Sequence, residues 1–353
     1  MNNKQTTLTE VAYWTRKIIK ISGILIIFLL IGGFSFRILS NQWKKSHPPP
    51  PPPPDTLFGT LPKFKFQEPK KKPDKFSLET VTNQLPELPN QAKVYFILPR
   101  KSKILAFEEM QSIATRLGFI SQPEKIKEDL FFYKNPLDNS RLTINPLTQN
   151  LEYEYPFQTD QTIINQNLPP NVNQITQKAL GFLQRIGMKK DDLNPEGKIT
   201  LYQLTATQLL KAPSISEANL AKVDFFKNNL EENVPILPPS LNDSNISVWV
   251  SGEGSKEIVK AKFIYFQIDK EKFSTYPLRS ISQAWEELQN GHYHLAKISD
   301  RFLPEQKIAI RKIYLAYLDP DYPFEFLKPI YVFEGDNEFV GYVEAVSPEF
   351  LSE

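Results

Sequence analysis

Side chains that could do chemistry are few in this sequence, and the histidines are the first to consider. The 353 residues contain three histidines and no cysteine, which excludes disulfides, thiolate nucleophiles and thiolate metal sites. His292 and His294 are two residues apart, so in a β-strand both rings would lie on one face, as a pair of metal ligands requires. Asp300 is the candidate third ligand nearby. Because two histidines and one more distant carboxylate make an incomplete site, we expect no bound metal.

Acidic and glycine-rich segments resemble ligand sites only superficially. Glu334, Asp336 and Glu338 form an acidic tip, but Asp, Asn and Gly are the residues that turns require, and calcium needs more oxygen ligands on a defined loop. The sequence GEGSK at 252–256 lacks the spacing of a phosphate-binding loop. No pair of carboxylates stands out for general acid–base catalysis. We therefore predict a protein that is not an enzyme and has no cofactor, with a carboxylate-based hydrolase as the enzymatic alternative.

A membrane anchor near the N-terminus determines where the rest of the chain is placed. Residues 21–36 carry no charge, and Lys20 and Arg37 stand at the two ends. A bilayer core needs about 20 apolar residues as helix, and flanking Lys and Arg side chains can supply the missing length. We predict a cytoplasmic segment over 1–17 and an uncleaved, single-pass transmembrane helix over 18–40. The excess of Lys and Arg on the N-terminal flank is slight, but a proline-rich stalk suits an exported domain, so we place the C-terminal domains outside the cytoplasm.

A proline- and lysine-rich segment is predicted to hold the folded part away from the membrane. Residues 48–54 are consecutive prolines, which adopt a stiff polyproline II rod of about 20 Å. Prolines and lysines continue towards residue 90, so we predict a stalk over 41–90. Its lysines are either part of a solvated spacer or a contact to anionic lipid or wall polymer. The formal net charge of the chain is only +2, so we expect no nucleic-acid partner.

Beyond residue 90, one pattern appears about three times: an amphipathic helix, a glycine, and then strands. The glycines are Gly118, Gly187 and Gly291, and each stands where the apolar helical periodicity stops. Each helix needs a sheet on which to bury its apolar face. The predicted fold class is α+β, with tandem helix-on-antiparallel-sheet modules over 91–165, 166–240 and 241–353.

The last module carries a series of positions that recur in a known family. A Ser-started helix contributes Ser282 and Ala284, and a strand ending in L-x-Y contributes Leu315 and Tyr317. The pattern L-x-P-x-Y-x-F follows at Leu327, Pro329, Tyr331 and Phe333, and a terminal strand Y-V-x-A at Tyr342, Val343 and Ala345. This segment resembles the closing part of PepSY-like domains. In particular it is similar to YycH- and YycI-type proteins, which are single-pass extracytoplasmic regulators of a sensor histidine kinase. The resemblance implies an adaptor that acts by protein contact and has no catalytic residues.

One strand of the last module is a candidate for a contact surface. Residues 308–318 are apolar on both faces, and a strand covered on one side by a helix needs a second cover, either another module or a partner. The candidate interaction surface consists of Ile313, Leu315, Tyr317, Tyr331 and Phe333.

These observations together predict a non-catalytic, membrane-anchored extracytoplasmic protein that acts by protein–protein contact. Its expected partner is an envelope or membrane protein such as a sensor kinase, a protease or an envelope complex. The alternative is a structural spacer or scaffold component of a cell-envelope assembly, in which the stalk sets a distance.

Overall fold

The computed structural model of this chain describes residues 8–46, 52–65, 72–98, 105–252, 256–303 and 305–352. Parts of the segments discussed above lie outside these residues: residues 1–7 of the predicted cytoplasmic segment, prolines 48–51 of the rod, and residues 253–255 of the glycine-rich sequence. The chain divides into two units, Met1–Pro53 and Pro54–Glu353. Each unit is described by itself.

The first unit contains one long helix, α1 (Leu8–Ser46). Within it, Ala12–Ser40 is long and apolar enough to cross a membrane, and none of this stretch is buried inside the protein. At 1.5 Å per residue its 29 residues extend about 44 Å, more than the roughly 30 Å of a hydrocarbon core. The helix continues through Ser46, so residues 41–46, predicted as the start of the stalk, are helical.

The second unit is mostly sheet. Among the described residues its helices are α2 (Ala106–Arg116), α3 (Gln161–Ile164), α4 (Val172–Arg185) and α5 (Ile281–Gln289). Its strands are β1 (Leu61–Pro62), β2 (Phe76–Leu78), β3 (Gln91–Ile97), β4 (Glu124–Lys127), β5 (Leu130–Lys134), β6 (Arg141–Ile144), β7 (Leu151–Glu154), β8 (Lys198–Leu204), β9 (Leu209–Lys211), β10 (Leu220–Phe225), β11 (Ile236–Leu237), β12 (Ile246–Val250), β13 (Ile258–Phe263), β14 (Ile268–Pro277), β15 (His294–Lys297), β16 (Ile308–Leu318), β17 (Phe326–Leu327), β18 (Pro329–Gly335), β19 (Val340–Glu344) and β20 (Leu351–Ser352).

The larger sheet has nine antiparallel strands in the order β4-β5-β6-β7-β13-β12-β10-β8-β9. The apolar stripes of α2 and α4 pack on it, with Met110, Ile175 and Leu183 among the residues of the shared core. Strands from all three predicted modules meet here, because β13 pairs with β7 of the first predicted module and β12 pairs with β10 of the second. The structure therefore does not divide the chain at the predicted module boundaries.

The second sheet has six strands, in the order β11-β16-β18-β19-β15, with β2 also paired to β16. Helix α5 packs on one face of this sheet, where Ala284 and Leu288 lie among core residues. Its N-terminus is closed by a capping box, in which Ser280 and Gln283 exchange hydrogen bonds. A further sheet, β14-β3-β17, completes this part of the unit.

Residues 54–65 form a strap on the folded unit. Strand β1 pairs in parallel with β20, the Tyr276 hydroxyl donates to the Gly59 carbonyl at 2.9 Å, and the Asp55 carboxylate accepts from the Thr275 amide at 2.9 Å. Further along, β2 pairs with β16. The predicted stalk over 41–90 is thus wrong for the described residues from Pro54 on. Isolated apolar side chains between the prolines bring this segment onto the body, and they are Leu61, Phe64 and Phe76, all buried.

The predicted helix-ending glycines are confirmed. Gly118, Gly187 and Gly291 all have positive φ angles, between 78° and 85°, which glycine adopts without the steric cost of a Cβ. At each, the amide one residue later donates to the carbonyl five residues before it, as in a Schellman motif. The three helices α2, α4 and α5 therefore end in the same local geometry.

Candidate functional site

The predicted interaction surface is part of the core. Ile313, Leu315, Tyr331 and Phe333 pack with α5, and Tyr317 belongs to a neighbouring buried cluster. None of the five is more than 8% exposed. The opposite face of β16 is covered too, since Ala316 and Leu318 pack with Phe64 of the strap. The second cover is thus supplied within the chain, by a segment that had been assigned to the stalk.

The other residues considered for chemistry also do not converge. His292 lies before β15 and contacts the Glu287 carboxylate at 3.0 Å, whereas His294 Nε2 donates to the Pro239 carbonyl at 2.7 Å. At the acidic tip, Asp336 pairs with Arg311 and Glu338 with Lys297. In the part of the chain that the structure describes, no three His, Asp or Glu side chains are grouped to hold a metal ion.

Two buried lysines serve the fold. Lys328 is fully buried, pairs with Glu344 and donates to the Pro62 carbonyl of the strap. Burial lowers the pKa of the Lys328 ammonium, and the opposing effect of Glu344 does not restore it. Lys227 pairs with Asp319 at 2.5 Å and joins the end of β16 to the residues that follow β10. Lys227 is 92 positions from Asp319, and Lys328 reaches Pro62, 266 positions away, so each lysine links segments distant in sequence, which is a structural role.

A polar cleft of about 210 Å³ opens beside the ends of α2 and α4. Each helix contributes its last residue, Arg116 or Arg185. The β5–β6 turn provides Asp138 and Ser140. The helices add Leu117 and Phe182, strand β7 adds Tyr153, and the start of β13 with the two residues before it adds Lys256, Glu257 and Ile258. Two helix ends, the β5–β6 turn and the residues before β13 therefore bring charged side chains of both signs to one place.

The acidic side chains of the cleft are already paired. The Asp138 carboxylate binds Lys256 and accepts from the Ser140 hydroxyl at 2.7 Å and the Ser140 amide at 2.9 Å. Burial alone would raise the pKa of Asp138, but these hydrogen bonds hold it below its ordinary value. Glu257 is paired with Lys178.

The arginines of the cleft, by contrast, have no carboxylate partner among the described residues. Arg116 and Arg185 form none of the ion pairs found there. Arg185 lies against the Phe182 ring, with its guanidinium carbon 5.6 Å from the ring centre. Burial raises the pKa of the Tyr153 hydroxyl to about 12, with smaller effects from neighbouring charges. Tyr153 is thus a neutral hydrogen-bonding group beside two unpaired cations.

Arg116 is held close to the end of the neighbouring helix. A Cβ built on Gly187 would lie only 2.9 Å from Arg116 Nη1, so the glycine leaves the space that the guanidinium needs. Gly187 stands two residues after Arg185. The end of α2 thus places its cation against the end of α4, beside that helix's own cation.

Sequence reasoning missed this cleft, although a local signal was present. The sequences RLG at 116–118 and RIG at 185–187 place an arginine two residues before a helix-ending glycine, whereas α5 ends in QNG. The convergence of the two arginines with Lys256 depends on packing of distant segments, and no local pattern encodes it.

Comparison with known proteins adds little to this geometry. No family model and no curated protein matches the chain. An uncharacterised protein from Eubacterium rectale is 12% identical over 73% of this chain and 82% of its own, with a TM-score of 0.39. The C-terminal domain of YpeB from Bacillus megaterium is 15% identical over 71% of this chain and 95% of its own, with a TM-score of 0.31. Likeness at these scores carries no argument about function, and the chain is described as a mixed α+β protein with one apolar N-terminal helix.

Proposed function

We propose that this protein is a non-catalytic, membrane-anchored protein whose folded unit binds a protein partner outside the cytoplasm. The observation that carries the proposal is the cleft at the ends of α2 and α4, which offers unpaired cations for recognition and no arrangement of reactive groups. The exposed apolar stretch Ala12–Ser40 supports an anchor. A regulator of a sensor kinase, a protease or an envelope complex fits this description, in keeping with the PepSY-like resemblance.

The lining of the cleft argues against catalysis there. It contains no histidine, and the Ser140 hydroxyl is 2% exposed and donates to Asp138. The Lys256 ammonium is paired with the same carboxylate. Serine and lysine are therefore each bound to Asp138 and are not arranged as a nucleophile with its base.

Two measurements on the full chain test this proposal. Alkaline carbonate extraction of membranes should leave the protein in the membrane pellet, and release into the supernatant would contradict an anchor. A photo-crosslinking amino acid at Leu137, which is 91% exposed next to the cleft residue Asp138, should trap a defined membrane or envelope protein. The same probe at the exposed Val81 is the matched control. Absence of any crosslinked protein at Leu137, or identical products at both sites, would overturn the proposal.

A further inference from the structure

The cleft beside the ends of α2 and α4 has more cations than its own carboxylates neutralise. We propose that it binds a carboxylate side chain on an acidic segment of a partner protein, held by Arg116 and Arg185. This inference rests on the proposed function, because it names the chemistry by which the folded unit would recognise its partner.

The charge balance is the first argument. Among the described residues, the carboxylates that line the cleft beside Arg116, Arg185 and Lys256 are Asp138 and Glu257, and each is paired with a lysine, Lys256 or the neighbouring Lys178. Two arginine charges therefore remain. The ends of α2 and α4 each carry about half a negative charge from the helix dipole, which cancels roughly one of these two. The site stays positive, and an anionic group on a ligand would complete it.

The second argument is the form of the cations. A guanidinium presents paired N–H donors that match the two oxygens of a carboxylate. Gly187 makes room for the Arg116 guanidinium, and Phe182 supports that of Arg185 from below. Both arginines are exposed, and these neighbours limit the orientations that the two guanidinium groups can take, so less conformational entropy is lost when they bind a ligand.

Size and lining decide between a free small molecule and a group on a larger partner. The cleft volume of about 210 Å³ is below the roughly 300–1,000 Å³ of small-molecule pockets. Phe182 and Ile258 of the lining are buried, so the apolar surface open to a ligand is that of the half-buried Leu117 and of Leu137 beside the cleft, which is 91% exposed. Inorganic phosphate would make no use of this apolar surface, whereas a peptide that alternates acidic and apolar residues would contact both.

The test is titration calorimetry on the full chain in nonionic detergent at about 0.15 M salt. The probes are a peptide of alternating Glu and Leu, its counterpart with Gln in place of Glu, and inorganic phosphate. We expect the wild-type protein to bind the Glu peptide about tenfold or more tightly than the Gln peptide. The reason is that a charge-assisted hydrogen bond contributes more binding free energy than a hydrogen bond between neutral groups. The R116Q/R185Q variant should lose this preference.

Two further variants keep the result interpretable. R301Q removes an exposed arginine that lies outside the cleft and forms no ion pair among the described residues, and it should keep the full preference. R116K/R185K retains the charge at both helix ends but not the forked donors, so it should fold and still lose most of the preference. Equal binding of the two peptides to wild type, an unchanged preference in both double variants, or phosphate binding as tight as the Glu peptide would overturn the inference.

The two proposals can fail separately. If the Leu137 crosslink is retained in R116Q/R185Q, the protein has a partner but does not hold it through these arginines. If no partner is trapped at all, the proposed function fails whatever the peptides show.

Discussion

The ends of α4 and α5 share one backbone geometry and differ in what surrounds them. Both helices end in a glycine of positive φ with the same hydrogen-bond pattern. At the end of α4, Arg185 and the neighbouring Arg116 line an open cleft. At the end of α5, the carbonyl of Gly291 accepts a hydrogen bond from Lys72, which follows the strap in sequence. The end of α4 is thus open to solvent at the cleft, whereas the end of α5 is covered by another segment of the chain.

On our proposal, this difference assigns recognition to the ends of α2 and α4 and stability to the end of α5. At the end of α5, Lys72 supplies the cation that binds the Gly291 carbonyl. It thereby connects this helix to the segment that leads into β2 of the second sheet. Cations supplied by the helices themselves leave α2 and α4 with charges that can still be used by a ligand. The following predictions test this comparison, in order of decreasing expected effect.

The stability of the protein should be more sensitive to mutation in the second sheet, where the strap covers Lys328, than at the cleft. E344Q leaves the Lys328 ammonium buried without its carboxylate, and we expect the free energy of unfolding to fall by about 3–5 kcal/mol. Urea unfolding of the full chain in detergent, followed by tryptophan fluorescence, measures this. In K328M/E344L the charge is absent as well, so most of the loss should be recovered. E349Q, at an exposed and unpaired position, is the control. A cost for E344Q no larger than for E349Q would contradict the structural role of this pair.

The three helix-ending glycines should respond unequally to alanine. Each alanine would have a positive φ, at a cost of roughly 1–2 kcal/mol. Only at Gly187 would the new Cβ also meet a neighbour, Arg116 Nη1. Because the end of the exposed Arg116 side chain can move aside, we expect the three variants to lose similar stability, and G187A alone to weaken binding of the Glu peptide. Equal peptide binding by all three variants would mean that Gly187 does not position Arg116.

The contribution of the Asp138 carboxylate to the free energy of unfolding should depend on pH. The pKa of Asp138 is lowered in the folded protein, so the ionised form is favoured by folding. Its contribution is present above the ordinary value of 3.8 and is lost as the pH falls through the lower, folded value. D138N should cost about 1 kcal/mol at neutral pH, and the difference in unfolding free energy from wild type should shrink in strong acid. A difference that stays constant down to pH 2 would contradict the pairing.

The smallest effect should come from placing an arginine at the end of α5, at the position that it has in α2 and α4. Q289R places Arg two residues before Gly291, as in α2 and α4. A cation in the last turn should stabilise the folded unit by about 0.3–1 kcal/mol through the helix dipole. Binding of the Glu peptide should not change, because the residues that line the cleft lie at the ends of α2 and α4 and not at α5. A second peptide site in Q289R would mean that the motif alone, without the cleft, makes the binding site.

How far the sequence could predict this molecule depended on how local each feature is. The glycines at the helix ends were predictable because a left-handed residue is a property of one position. The large sheet was not, since its assembly pairs Leu151 with Phe263, more than a hundred residues apart. The strap was missed because Leu61 and Phe64 are single apolar residues in a proline-rich stretch. The cleft was missed for the same physical reason as the sheet, although the repeated arginine before a glycine could have drawn attention to two of its walls.

The strap also has a mechanical consequence. Tension applied to the chain at Pro54 would reach the contacts of Asp55 and the parallel pair β1–β20 before it reached either helix-covered sheet. Loss of these contacts would uncover Leu61 and withdraw the Pro62 carbonyl from Lys328, so the strap keeps a buried apolar side chain and a partner of a buried cation in place.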